Sequence, residues 1–86
     1  MAFQNKTVLI TGASRGIGEA AARLFAEGGA NVVLVARGED AIAAIAADIG
    51  AKALAVPCDV SDYQAVEGAV NAAIDAFGGV DVLINN

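Results

Sequence analysis

The chain has no histidine and no tryptophan, and a single cysteine, proline, methionine and tyrosine among its 86 residues. Without histidine, the commonest general base and the commonest metal ligand are both missing. One cysteine, Cys58, excludes an internal disulfide framework and a cysteine-rich zinc site. Basic residues are also scarce. Five Lys and Arg stand against ten Asp and Glu, for a net charge of −5, and no Lys/Arg cluster offsets it. Nonspecific nucleic-acid binding is therefore not expected. No apolar run approaches the roughly 20 residues a membrane helix needs. The opening Met1-Ala2-Phe3-Gln4-Asn5-Lys6 shows no basic region followed by an apolar one, so no secretory signal and no membrane association are expected. A cytoplasmic location fits.

What the chain does have is apolar residues, 57% of the total, dominated by Ala and by clusters of Val, Ile and Leu. The first favours helix and the second buried strand. A chain this short buries only roughly 60% of its unfolded surface, which makes one small, marginally stable domain over 1–86 the expectation.

The two residue types alternate. Thr7-Val8-Leu9-Ile10-Thr11 is an uninterrupted apolar run, as in a strand covered on both faces. Ile17, Ala20, Ala21, Leu24 and Phe25 then recur with helical spacing, and Gly28-Gly29 stops the helix. Asn31–Ala36 is the second strand. Glu39 and Asp40 open the second helix, Ile42, Ile45, Ala46 and Ile49 form its stripe, and Gly50 ends it. Ala53–Val56 is the third strand. Ser61, with Gln64 three residues on, has the spacing of a capping box for a third helix. Its stripe is Val66, Ala69, Val70, Ala73, Ile74 and Phe77. Val80–Ile84 is a fourth strand. The order βαβαβαβ with short loops predicts an α/β fold, a parallel sheet with flanking helices and right-handed crossovers.

Gly12, Gly16 and Gly18 fall between the first strand and the first helix. A strand-to-helix turn aims free backbone N–H groups and the positive end of a helix dipole at one point, which makes an anion site suited to a pyrophosphate. Glycine serves where the backbone must turn sharply or approach a phosphate closely. The spacing is not the G-x-G-x-x-G fingerprint, and no Gly-Lys-Ser/Thr ending points to triphosphate hydrolysis.

Thr11-Gly12-Ala13-Ser14-Arg15-Gly16-Ile17-Gly18, Cys58-Asp59-Val60 and Leu83-Ile84-Asn85-Asn86 together resemble the landmarks of short-chain dehydrogenases/reductases, in particular 3-oxoacyl-acyl-carrier-protein reductases and glucose dehydrogenases. The resemblance covers the whole chain. It implies half of a Rossmann fold, with strands in the order 3-2-1-4. It assigns the cofactor's pyrophosphate and adenosine ribose to Gly12, Ser14, Arg15, Gly16, Ile17 and Gly18. Asp59 matches the family residue that accepts a hydrogen bond from the adenine amino group, with Val60 packed beside the ring, although Asp59 also fits a turn or cap before the third helix. Asn86 matches a motif beside the nicotinamide-side ribose.

Cofactor choice turns on the end of the second strand. Dinucleotide folds that select NAD place an acid there to bind the ribose 2′-hydroxyl. Here the position reads Ala36, followed by Arg37. Arg37, with Arg15 nearby, can bind a 2′-phosphate, and within the family this pair implies NADP. The alternative is NAD, with Glu39 reaching the ribose.

The family's members run to about 250 residues, and its catalytic Ser and Tyr-x-x-x-Lys have no counterpart here. Tyr63 is followed four residues later by Glu67. The chain thus reads as the first, cofactor-binding half of such an enzyme, cut at Asn86, with no turnover of its own. Two alternatives are a fragment that folds and self-associates without cofactor and the cofactor-binding part of a split oxidoreductase. An uncovered fourth strand, with Val80, Val82, Leu83 and Ile84, predicts a homodimer by edge pairing or element exchange.

Overall fold

The computed structural model describes residues 3–86. Strands β1 (Thr7–Thr11), β2 (Asn31–Ala36), β3 (Ala53–Pro57) and β4 (Val82–Ile84) alternate with helices α1 (Gly16–Glu27), α2 (Glu39–Ile49) and α3 (Tyr63–Phe77). All strand pairs are parallel, in the order β3-β2-β1-β4. The register sets Thr7 beside Asn31, Leu9 beside Leu83 and Ala36 beside Pro57. This is the half-Rossmann arrangement that the alternation and the resemblance predict.

Strand alternation divides the core in two. Val8, Ile10, Val32 and Leu34 point to the face where Ala22 of α1 and Ile42 and Ile45 of α2 pack. Leu9, Val33 and Val35 point to the other, against Ala69 and Ala73 of α3. Both faces of β1 and β2 are buried, which is why their sequences are continuously apolar instead of alternating. Asp81, just before β4, docks that strand: its carboxylate accepts from the Thr7 N–H at 2.8 Å, and its own N–H donates to the Thr7 carbonyl at 2.9 Å.

Five local expectations differ from the structure. Of the predicted α1 stripe Ile17, Ala20, Ala21, Leu24 and Phe25, Ala21 and Phe25 pack against the core, while Ile17 is 80% and Leu24 67% exposed. Gly18 and Ala22 face the sheet, because small residues let the helix approach closely. In α3, Ile74 is 45% exposed, and burial falls on Ala69 and Ala73. The cap of α3 is Asp62, whose Oδ1 accepts from the N–H groups of Gln64 (3.0 Å) and Ala65 (3.3 Å). Ser61 is withdrawn from capping because its hydroxyl donates to Asp59 at 2.7 Å. Finally, β4 starts at Val82, and β3 runs one residue further, to Pro57, which a sheet-edge strand tolerates.

Candidate functional site

The four strands are parallel, so the segments after β1, β2, β3 and β4 emerge at one end of the sheet, where open α/β sheets bind ligands. Together they line a groove of about 650 Å³. Gly12, Ser14, Arg15, Gly16 and Ile17 come from the first loop, Arg37 from the second, Asp59 and Val60 from the third, and Asn86 from the fourth. Ala36, Gly38, Cys58 and Ser61 complete the lining. Of the candidate residues, Gly18 and Glu39, the residue of the NAD alternative, are absent from the wall.

Gly18 lies underneath. A Cβ built on it would collide with the carbonyl oxygen of Gly12 and stand 2.9 Å from Asn86 Nδ2. Its role is to let the first turn of α1 rest on the glycine loop. Gly12 and Gly16 both take φ of +62°, the left-handed region that glycine enters without strain. At Gly16 the added Cβ would meet nothing, so the requirement there is conformational. Arg15 precedes α1 in extended conformation and gives it no side-chain cap. The helix therefore presents its first N–H groups and positive dipole end to the groove. Free N–H groups at a helix N-terminus are suited to an anion such as a pyrophosphate.

Asn86 belongs to a network that spacing alone does not reveal. Its backbone N–H donates to Thr11 Oγ1 at 3.0 Å, and its Nδ2 donates to the Gly12 carbonyl at 3.3 Å. The Thr11 hydroxyl in turn lies 3.2 Å from Asn85 Oδ1. Thr11 is 7% exposed, so the end of β4 is tied to the glycine loop through a buried hydroxyl. A polar residue closing an otherwise apolar strand was the available signal.

At the far end of the groove, Arg37 and Asp59 are paired, Nη2 to Oδ2, at 3.0 Å. The other Asp59 oxygen, Oδ1, accepts from the backbone N–H of Ser61 at 3.0 Å and from its hydroxyl. Asp-x-Ser is the pattern of an Asx turn, and the turn reading of Asp59 is realised. The Ser61 hydroxyl and N–H, with Arg37 beyond them, hold the Asp59 carboxyl below its usual range. Cys58 is buried behind this pair, and its N–H donates to the Ala36 carbonyl at 2.9 Å. Burial, followed by the nearby charges of Asp59 and Asp62, pushes its thiol up. A raised thiol is not an activated nucleophile. Ser14 and Gly38 approach each other, the Cβ of Ser14 lying 3.9 Å from where a Cβ on Gly38 would sit, so the first two loops meet.

Among the described residues no group of three or more Cys, Asp or Glu is placed to hold a metal, and no helix is long and apolar enough to cross a membrane.

Comparison with known proteins agrees with this geometry. Residues 6–86 match the family model described as short chain dehydrogenase. Meso-2,3-butanediol dehydrogenase of Serratia marcescens is 48% identical over 87 residues, covering all of this chain and 35% of the relative. L-rhamnose 1-dehydrogenase (NAD(P)(+)) of Azotobacter vinelandii is 47% identical over 93 residues, again covering all of this chain and 36% of the relative. The crystal structure of 3-ketoacyl-(acyl-carrier-protein) reductase from Brucella melitensis, complexed with NADH, superposes with a TM-score of 0.91 at 48% identity. That match covers 93% of this chain and 33% of the reductase. The chain thus spans about a third of the length of the relatives it matches. With its sheet order, its glycine loop and a family match over nearly its whole length, the chain belongs to the short chain dehydrogenases.

Proposed function

We propose that the chain is a single-domain nicotinamide-dinucleotide-binding module. The observation that carries this reading is the convergence of the uncapped N-terminus of α1, the left-handed glycines of its loop and the Asp59 turn on one groove. The NADH-bound reductase, similar over 93% of this chain, supports the same class of cofactor. In this reading the loop from Gly12 to Gly18 takes the pyrophosphate and adenosine ribose. Asp59 and Val60 receive the adenine, and Asn86 holds the loop from the nicotinamide side.

NADP(H) is favoured over NAD(H). Ala36 leaves no acid at the end of β2 to take a ribose 2′-hydroxyl, while Arg37 and Arg15 on the same groove offer two cations to a 2′-phosphate. NAD(H) is the second reading, and two observations favour it: Arg37 is already paired with Asp59, and the similar reductase was crystallised with NADH.

No turnover is expected of the chain by itself, because the family's catalytic Ser and Tyr-x-x-x-Lys have no counterpart among its residues. Self-association through β4 is part of the proposal, since this strand lies at the sheet edge with Leu83 63% exposed. Charge and composition fit a cytoplasmic setting. Calorimetric titration of the purified chain with NADPH and NADH tests the central assignment.

A further inference from the structure

We propose that Asp59 is a specificity-determining residue that opposes the 2′-phosphate and holds the NADP preference below what Arg37 alone would confer. The inference rests on the dinucleotide-binding reading and concerns how that site discriminates.

The geometry separates the two partners of the ion pair. Asp59 is fixed, because Oδ1 is committed to the N–H and hydroxyl of Ser61. Oδ2 is thereby turned to Arg37. Arg37 extends from a loop, its side chain 78% exposed, and among the described residues its guanidinium pairs only with that carboxylate. The strands hold the pair together from below: Ala36 and Pro57 are register partners, and the Cys58 N–H donates to the Ala36 carbonyl. The guanidinium therefore reaches the groove with its counter-charge attached.

A guanidinium has five N–H donors, and this pair uses one end of the fork. An anion that takes the remaining donors stays bound to a group narrower than the screening length, about 8 Å at physiological salt. It is thus brought within the unscreened field of the Asp59 carboxylate. A 2′-phosphate, with close to two negative charges, feels that field strongly, whereas the neutral 2′-hydroxyl of NAD does not. The same carboxylate offers adenine an acceptor whichever cofactor is bound, so its effect on recognition of the base cancels in the ratio of the two affinities. The acids of the first turn of α2, Glu39 and Asp40, add to the same sign of field, and among the described residues neither forms an ion pair with Arg37.

The test is calorimetric titration of the unsubstituted chain and of Asp59→Asn with NADPH and NADH. Asn keeps the oxygen that accepts from Ser61 and puts a neutral amide nitrogen in place of Oδ2, so the negative charge facing Arg37 is lost, and any loss at adenine is common to both cofactors and cancels in the ratio. The expected result is an NADPH-to-NADH affinity ratio raised by about threefold to tenfold at low salt, with the gain shrinking as salt is added. A rise that does not respond to salt overturns the electrostatic origin. An unchanged ratio overturns the proposal, and so does a lowered one, which would mean that Asp59 serves the phosphate by holding Arg37 in place. Asp59→Ser removes the charge by another route and gives the same reading if the Asn variant fails to fold. Failure of the unsubstituted chain to bind either nucleotide overturns the binding reading and this inference with it, and so is distinct from binding with an unaltered ratio.

Discussion

Gly18 sits directly beneath Gly12, so close that a side chain on the first would occupy the space of the second's carbonyl oxygen. The first turn of α1 can present its N–H groups to the groove only because this contact is made by backbone alone. A methyl group there would push the helix off the loop, and the loop cannot yield easily because Asn86 holds the same Gly12 carbonyl. Gly18→Ala is expected to cost about 1–3 kcal/mol of stability, the range for overpacking a close contact. Denaturant unfolding checks this. A midpoint unchanged from that of the unsubstituted chain would show that the helix is not seated this way.

Arg37 gives the second prediction. Replacing it with Glu places an acid one residue beyond the position where NAD-selective folds have one and removes the cation available to a 2′-phosphate. NADPH affinity should fall by about 10- to 100-fold, the range for a charge-assisted hydrogen bond, while NADH affinity holds or rises. Competition titration with both nucleotides measures it. Unaltered NADPH affinity would remove Arg37 from the site.

The Asp59 turn makes the stability of the chain sensitive to acid. A carboxyl whose folded value is depressed supplies stability that is complete above its unfolded range, about pH 4, and is lost as the pH falls through the folded value. Asp59 is such a group, held down first by Ser61 and then by Arg37. Ser61→Ala should move its titration up toward the ordinary carboxylate range and shift the acid limb of unfolding to higher pH. Carbon-detected NMR titration of the Asp59 carboxyl reads the first effect directly, and an unmoved midpoint would contradict the assignment.

Leu83 tests the edge. It stands on the outermost strand with its side chain largely in solvent, beside the half-buried Val82 and Ile84. A charged residue on an edge strand discourages pairing with another chain. The unsubstituted chain should form a dimer in light scattering, and Leu83→Lys should shift it to monomer without loss of folding. A clean monomer of the unsubstituted chain at high concentration would refute self-association.

Much of this was legible in the sequence, for identifiable reasons. Continuous runs such as Val8-Leu9-Ile10 have few alternatives to a doubly covered strand, and parallel order follows from the alternation with helices. The glycine loop declared itself by its place between strand and helix. What failed was orientation and local competition. Ile17 and Leu24 dominate a reading by hydrophobicity, yet the helix packs through Gly18 and Ala22, where close approach outweighs side-chain size. Ser61 and Asp62 are both good caps, and only the third partner, Asp59, decides between them by claiming the Ser61 hydroxyl. The Arg37–Asp59 pair joins residues 22 positions apart and depends on β2 and β3 being neighbours, which no local pattern encodes.

This chain, by itself, is expected to carry a working dinucleotide site. Calorimetric titration with NADPH and NADH tests it most directly. Saturable one-to-one binding of both, tighter for NADPH, is expected. A chain that is folded by circular dichroism and binds neither would contradict it, leaving the fold without its site.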